Sequence, residues 1–187
     1  MIAFQVLLWY IAPVRQTSLQ VRRSSRVGTP HGRVRIEDTE VKIRVRVGPS
    51  RIAGQGLFAG QDIQTGAKII RYIGEKISRE ESDRRLAAGN VYIFGLNERY
   101  SIDGDIPRNT ARYINHACDP NCHTEQFGNT IWIVALRDIQ SGEELTYNYG
   151  YGINEEPIEP CHCGAPHCCG SILAQRYWDR IAPPTHP

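Results

Sequence analysis

Cysteine is missing from the whole stretch before Cys118, methionine occurs once and phenylalanine four times. Disulfide-stapled secreted proteins spread their cysteines along a small chain. This chain does not, which favours a reducing, intracellular compartment, cytoplasmic or nuclear. Long apolar runs are also lacking. The best candidate, MIAFQVLLWYIAPV, is broken by Gln5 and falls short of the ~20 residues of a membrane span, so none is expected. It lacks the basic start and small-x-small cleavage site of a secretory leader. An amphipathic docking helix, a weak leader and an over-extended gene start all fit it. Charge of one sign is scarce as well: the net charge is +2. Without a basic stripe on the folded part, no direct nucleic-acid site is expected there. The exception is local. Arg15, Arg22, Arg23, Arg26, Arg33 and Arg35 occur with no acid before Glu37. Residues 1–40 therefore read as an apolar segment followed by a disordered basic arm: a solvated tail, a nucleic-acid tether or an organelle-targeting arm.

Internal repeats, heptads and strand–helix alternation are absent too, which excludes solenoids, coiled coils and doubly wound α/β folds. Gly54-Gln55-Gly56 is not followed by a helix signature, so a dinucleotide-binding reading fails. What remains is a chain of 187 residues, 41% hydrophobic and 22% charged, enough for one domain with a real core.

In VKIRVRV, Val41, Ile43, Val45 and Val47 alternate with cations, the period of a half-buried strand over 41–47. AKIIRYIGEKI, VYIFGL, RYSIDG and TIWIVALRDI (130–139) read as further short strands. One helix is predicted in SREESDRRLAAGN, with Ser78 as N-cap, Glu81 as its capping-box partner and Gly89-Asn90 as the stop. The fold class is mostly β, with short strands and little helix.

Two segments carry chemistry. RYINHACDPNC (112–122) crowds Arg112, Asn115, His116, Cys118, Asn121 and Cys122 together. CHCGAPHCCG (161–170) offers Cys161, Cys163 and Cys168 in a C-x-C-x4-C spacing that can converge on one tetrahedral ion. Three thiolates do not close a structural site. Cys118 is the best fourth ligand, with His162, His167, Cys122 and Cys169 as competitors. Tyr147 and Tyr149, two apart, read on their own as one face of a buried strand.

Taken in order, GQGLFA, RYIGE, RYINHACDPNC, GEELTYNYGY and CHCGAPHCCG resemble the motifs of SET-domain protein lysine methyltransferases with a post-SET zinc segment, over about Val41 to Ile181. The resemblance implies small curved β-sheets with a threaded, pseudoknot-like C-terminal motif, a SET domain over 41–152 and a zinc-binding segment over 153–181. It implies S-adenosylmethionine as methyl donor and one structural zinc on Cys118, Cys161, Cys163 and Cys168. The substrate would be a lysine of a histone tail or another protein. Gly54, Gln55, Gly56, Arg112, Asn115, His116 and Tyr149 would hold the cofactor. Tyr149 would be the catalytic tyrosine, Tyr92 would line the lysine channel, and Tyr147, where the family has Phe or Tyr, would favour monomethylation. Family members act on chromatin in nuclei, and stand-alone forms occur in bacteria. The alternative is a catalytically inactive binding module of the same fold. Gln55, Ala117, Asn148, Arg108 and the extra Cys169 depart from the usual motifs, and no cysteine-rich region precedes the domain.

Overall fold

The computed structural model describes residues 42–153 and 159–180. The segments read over 1–40, the start of the predicted strand at Val41, and Ile181 lie outside the described residues. Among the described residues the elements run β1 (Val45–Pro49), β2 (Gln55–Ala59), β3 (Lys68–Tyr72), β4 (Glu75–Ser78), α1 (Arg79–Ala87), β5 (Ile93–Gly95) and β6 (Tyr100–Asp103). A 3-10 turn (Thr110–Tyr113) leads into β7 (Asn115–His116), β8 (Cys122–Phe127), β9 (Thr130–Ala135) and β10 (Glu144–Tyr147), and a second 3-10 turn covers Gln175–Arg180. They form three small sheets with strand orders β1-β2-β10-β7, β3-β9-β8 and β4-β6-β5. The expectation of a mostly-β chain with few helices holds. No helix among the described residues is long and apolar enough to cross a membrane.

The first strand lies further along the chain than the alternation predicts. β1 starts at Val45 and continues through Gly48 and Pro49, which pair with Gly56 and Gln55 of β2. Ile43 and Val45 pack on the core while Val47 is 37% exposed. The partner strand sets the span, not the local period. AKIIRYIGEKI divides into β3 and β4 around Ile73-Gly74, and TIWIVALRDI stops being strand after Ala135. Ile139 instead makes a single bridge to Ile63.

The core lies between the sheets. Leu57 of β2, Ile131 and Ile133 of β9, Leu145 of β10 and Cys122 of β8 are each fully buried, and each large aliphatic contributes about 1.5–3 kcal/mol. α1 is held differently. Its cap is as predicted, with Ser78 Oγ accepting from the Glu81 N–H at 3.2 Å. The box closes on one side only, because the Glu81 carboxylate accepts from Arg84 and Arg85 instead. Only Ser82 of this helix is buried, so its anchorage is polar.

One topological feature positions everything that follows. β10 enters between β2 and β7, antiparallel to the first (Leu145 opposite Leu57) and parallel to the second (Thr146 opposite Asn115, Tyr147 opposite His116). The late motif thereby threads against the loop formed by the earlier one, as the resemblance implies.

Candidate functional site

β10 is only four residues long, and Asn121 supplements its ladder. The Asn121 Nδ2 donates to Glu144 O at 2.8 Å, and its Oδ1 accepts from Thr146 N at 2.9 Å. A carboxamide presents one donor and one acceptor side by side, as a strand backbone does. Cys122, next to it, is a core residue: burial pushes its thiol up to about 12. It stands apart from the other thiols.

Beyond β10 the chain brings four aromatic side chains together. The Tyr149 ring lies 5.4 Å from His116 in an edge-on contact, 5.0 Å from Tyr147 and 5.7 Å from Tyr151. Its N–H donates to His116 Nδ1 at 3.1 Å, and its hydroxyl donates to Ile114 O at 2.9 Å. Burial lowers His116 to about 4, so the imidazole is neutral, accepting at Nδ1 and carrying its proton on Nε2. Burial, reinforced by neighbouring phenols, pushes both Tyr147 and Tyr149 above the usual tyrosine range. Both stay neutral. Phe94 and Tyr72 continue the aromatic wall behind Tyr147, with ring centroids 6.4 Å and 5.4 Å apart in sequence from Tyr147 to Phe94 to Tyr72.

The glycine-rich loop is pinned to these strands from beneath. Asn115 Nδ2 faces Glu144 Oε1 (2.8 Å), Ser50 Oγ (3.1 Å), Gln55 O (3.1 Å) and Ala53 O (3.2 Å). Ser50 Oγ donates to Glu144 Oε1 at 2.7 Å and accepts from Ile52 N at 2.9 Å. Gly54 adopts a φ of +45°, in the left-handed region that favours glycine. At Gly56 a Cβ would overlap the Glu144 carboxylate. The sequence reading missed Ser50 and Glu144. Glu144 stood inside GEELTYNYGY; Ser50 carried no local signal.

Arg112 and Tyr92 form a separate pair. The guanidinium lies 5.1 Å from the Tyr92 ring centroid, donates to Asp105 at 2.7 Å and to Tyr113 Oη at 2.9 Å. Its Nε is buried and has no acceptor among the described residues.

The four predicted thiols converge. The sulfurs of Cys118, Cys161, Cys163 and Cys168 lie within 4.8 Å of one another, and Cys118 Sγ is 3.8 Å from both Cys161 and Cys168. Disulfide sulfurs sit at about 2.05 Å. A tetrahedron with ~2.3 Å metal–sulfur bonds has edges of ~3.8 Å, so the donor set fits one zinc. Burial raises the Cys118 thiol, and raises Cys161 to about 12. Cys163 moves the other way: burial acts upward, but the N–H groups of Cys118 and Ala165 and the adjoining thiols outweigh it. Cys169 Sγ is also 3.7 Å from Cys118 and donates to Ser171 O; His162 and His167 are not among the converging donors. A cavity of about 290 Å³ separates the glycine-rich loop at Ile52 from the thiol segment at Cys163–Pro166.

Residues 54–150 match the family model described as SET domain. The chain is 39% identical over 140 residues to human histone-lysine N-methyltransferase 2D, covering 70% of this chain and 2% of that protein. It is 41% identical over 141 residues to the Schizosaccharomyces pombe histone-lysine N-methyltransferase that is H3 lysine-4 specific, covering 70% and 15%. It thus spans a small part of the curated relatives it matches. Among solved structures, a humanized mutant of Chaetomium thermophilum Polycomb Repressive Complex 2 bound to the inhibitor GSK126 is 38% identical, with a TM-score of 0.53 over 58% of this chain and 15% of that one. An autoinhibited ctPRC2 bound to S-adenosylmethionine gives 37% and 0.53 over the same shares.

Proposed function

Because the chain belongs to the SET-domain family, we propose that it transfers a methyl group from S-adenosylmethionine to the side-chain amine of a protein lysine, with a histone tail as substrate and chromatin as its place of action. The observation that carries this reading is the packing of Tyr149, Tyr147 and neutral His116 around the threaded β10, beside the pinned glycine-rich loop.

The methyl donor supplies a methyl group already activated on a sulfonium sulfur. The protein has then to hold, orient and keep dry. Backbone of Gly54, Gln55 and Gly56, with Asn115, His116 and Tyr149, would bind the donor. The Asn115 carboxamide nitrogen is committed to the loop, so its contribution is to fix that loop's shape. Arg112 brings a buried Nε–H with no acceptor among the described residues, suited to a carboxylate. Tyr147, Tyr149 and Tyr92 would form the lysine channel: rings accept the apolar stem, and neutral hydroxyl oxygens hold the amine. Tyr147 is half-buried against the core, and its hydroxyl occupies volume that a bulkier, already methylated amine needs, which supports a lean towards monomethylation. A zinc on Cys118, Cys161, Cys163 and Cys168 would tie the C-terminal segment against the cavity wall.

The test is transfer of labelled methyl to mixed histones and to a cell extract, with Tyr149→Phe and a zinc-stripped sample alongside. Label on a discrete protein, lost in both controls, is the expected result. Donor binding without transfer to any protein would favour the inactive binding module, and failure to bind the donor would overturn the reading.

A further inference from the structure

α1 has no apolar stripe, yet it is fastened at one point to the segment that carries Tyr92. Arg85 donates to Asp103 of β6, to Glu75 of β4 at 2.8 Å and to Glu81 at 2.6 Å. The Asp103 side chain is only 7% exposed. It accepts from Asn90 Nδ2 at 2.9 and 3.0 Å and from the Asp105 N–H at 2.9 Å. Asn90 uses its other end on the backbone: its Oδ1 accepts from Tyr92 N at 2.9 Å. Across the same residue, Tyr92 O accepts from Tyr72 Oη and from Gly104 N, each at 2.8 Å. The ring is covered by Arg112, which is itself tied to Asp105 at 2.7 Å. All of these supports except Tyr72, which stands on β3, lead back to the turn at Asp103–Asp105.

Gly89 to Tyr92 lies between α1 and β5, outside both helix and strand. Backbone bonds hold its two ends, Gly89 N–H to Leu86 O and Asn90 N–H to Arg85 O at one and Gly104 N–H to Tyr92 O at the other. Between them a side-chain carboxamide with both ends engaged sets the turn, since rotating Asn90 would break the Asp103 and Tyr92 bonds together.

We propose that Asn90, braced by Asp103 and through it by Arg85 of α1, is the positioning residue that sets Tyr92 in the lysine channel. This rests on the reading of Tyr92 as channel wall. Asn90 touches no reacting atom; it acts through Tyr92. Losing it lets the Tyr92 backbone and ring drift beneath Arg112, and a displacement of about 1 Å in a site that works by orientation costs up to ~100-fold in rate. The glycine-rich loop and Asn115 are held by a different set of bonds, so Asn90 couples to the donor only through Arg112, which is tied separately to Asp105 and Tyr113.

The test is a double-mutant cycle on the full chain with a histone substrate, reading single-turnover rate, KM for the lysine substrate and donor affinity by calorimetry. Asn90→Ala is expected to lower the rate roughly 10- to 100-fold, with donor affinity, which it reaches only through Arg112, changed far less than the rate. Tyr92→Phe is expected to be slow, and the double variant to lie within about twofold of Tyr92→Phe, because coupled residues are not additive. Additive losses, or a wild-type rate for Asn90→Ala, would overturn the positioning role while leaving Tyr92 in the channel. A wild-type rate for Tyr92→Phe would instead overturn the channel reading, and this inference with it. If Asn90→Ala does not fold, Arg85→Gln is read in its place. It is expected to give a smaller rate loss with the same non-additivity towards Tyr92→Phe, and additivity there would overturn the proposal.

Discussion

Asn121→Ala removes two hydrogen bonds that the β10 backbone makes to a side chain: Asn121 Nδ2–H to Glu144 O at 2.8 Å, and Thr146 N–H to Oδ1 at 2.9 Å. Asn121 is 4% exposed, so water does not simply take its place. A buried backbone group left without a partner costs about 1–3 kcal/mol. One donor and one acceptor together give about 2–6 kcal/mol, out of a total stability of about 5–15 kcal/mol for a domain of this kind. Urea unfolding, followed by tryptophan fluorescence, should show a lower midpoint at an unchanged slope. Amide exchange at Thr146 should accelerate, since its acceptor is gone. Asn129→Ala, in the exposed turn between β8 and β9, is the control and should stay within about 0.5 kcal/mol. A loss below ~1 kcal/mol for Asn121→Ala, or unchanged exchange at Thr146, would refute the view that this side chain completes the β10 ladder.

Other perturbations follow from the same geometry. The methylation rate should climb about tenfold per pH unit from pH 7 to 9, because the target lysine, with an ordinary pKa near ~10.4, must lose its proton. Tyr147 and Tyr149 lie above their usual range and stay protonated throughout, so a break below pH ~9 in single-turnover profiles would contradict their assignment. Elemental analysis of reduced protein should find one zinc per chain, lost in Cys161→Ser and retained in Cys169→Ser; equal loss in both would make Cys169 a ligand. At Asp103, burial raises the carboxyl pKa but the Arg85, Asp105 and Asn90 donors outweigh it, and the net shift is downward. Its folded-state contribution is therefore complete above the ordinary value near ~3.9 and disappears as pH falls through the lower folded pKa. Asp103→Asn should flatten the acid limb of the stability profile, and an unaltered limb would count against the Arg85–Asp103 link.

Much of the site was legible before any coordinates, and unevenly so. The thiol set followed from spacing: Cys161, Cys163 and Cys168 lie close in the chain, and their convergence needs only a tight local turn, with Cys118 supplied by the motif. α1 was legible from Ser78 and Gly89 because capping is local chemistry. The strands were harder. β5 has three residues and β7 two, too few to express a period, and β8, with a half-buried middle, was not read as a strand at all. β1 started later than its alternation suggested because its antiparallel partner ends at Ala59, opposite Val45, and it ran on to Pro49 because that partner begins at Gln55.

By itself, then, the sequence determined the composition of the site: which aromatic, amide and thiol groups are present, and where one helix begins and ends. These properties depend on residues a few positions apart. Tertiary structure alone decided how those groups are used. It engaged Asn115 with the glycine-rich loop, set Asn121 against β10, paired Ser50 with Glu144 94 positions away, and braced Tyr92 through Asn90 and Asp103. A side-chain amide has the same two donors and two acceptor lone pairs wherever it stands; which of them it satisfies is settled only when distant strands meet.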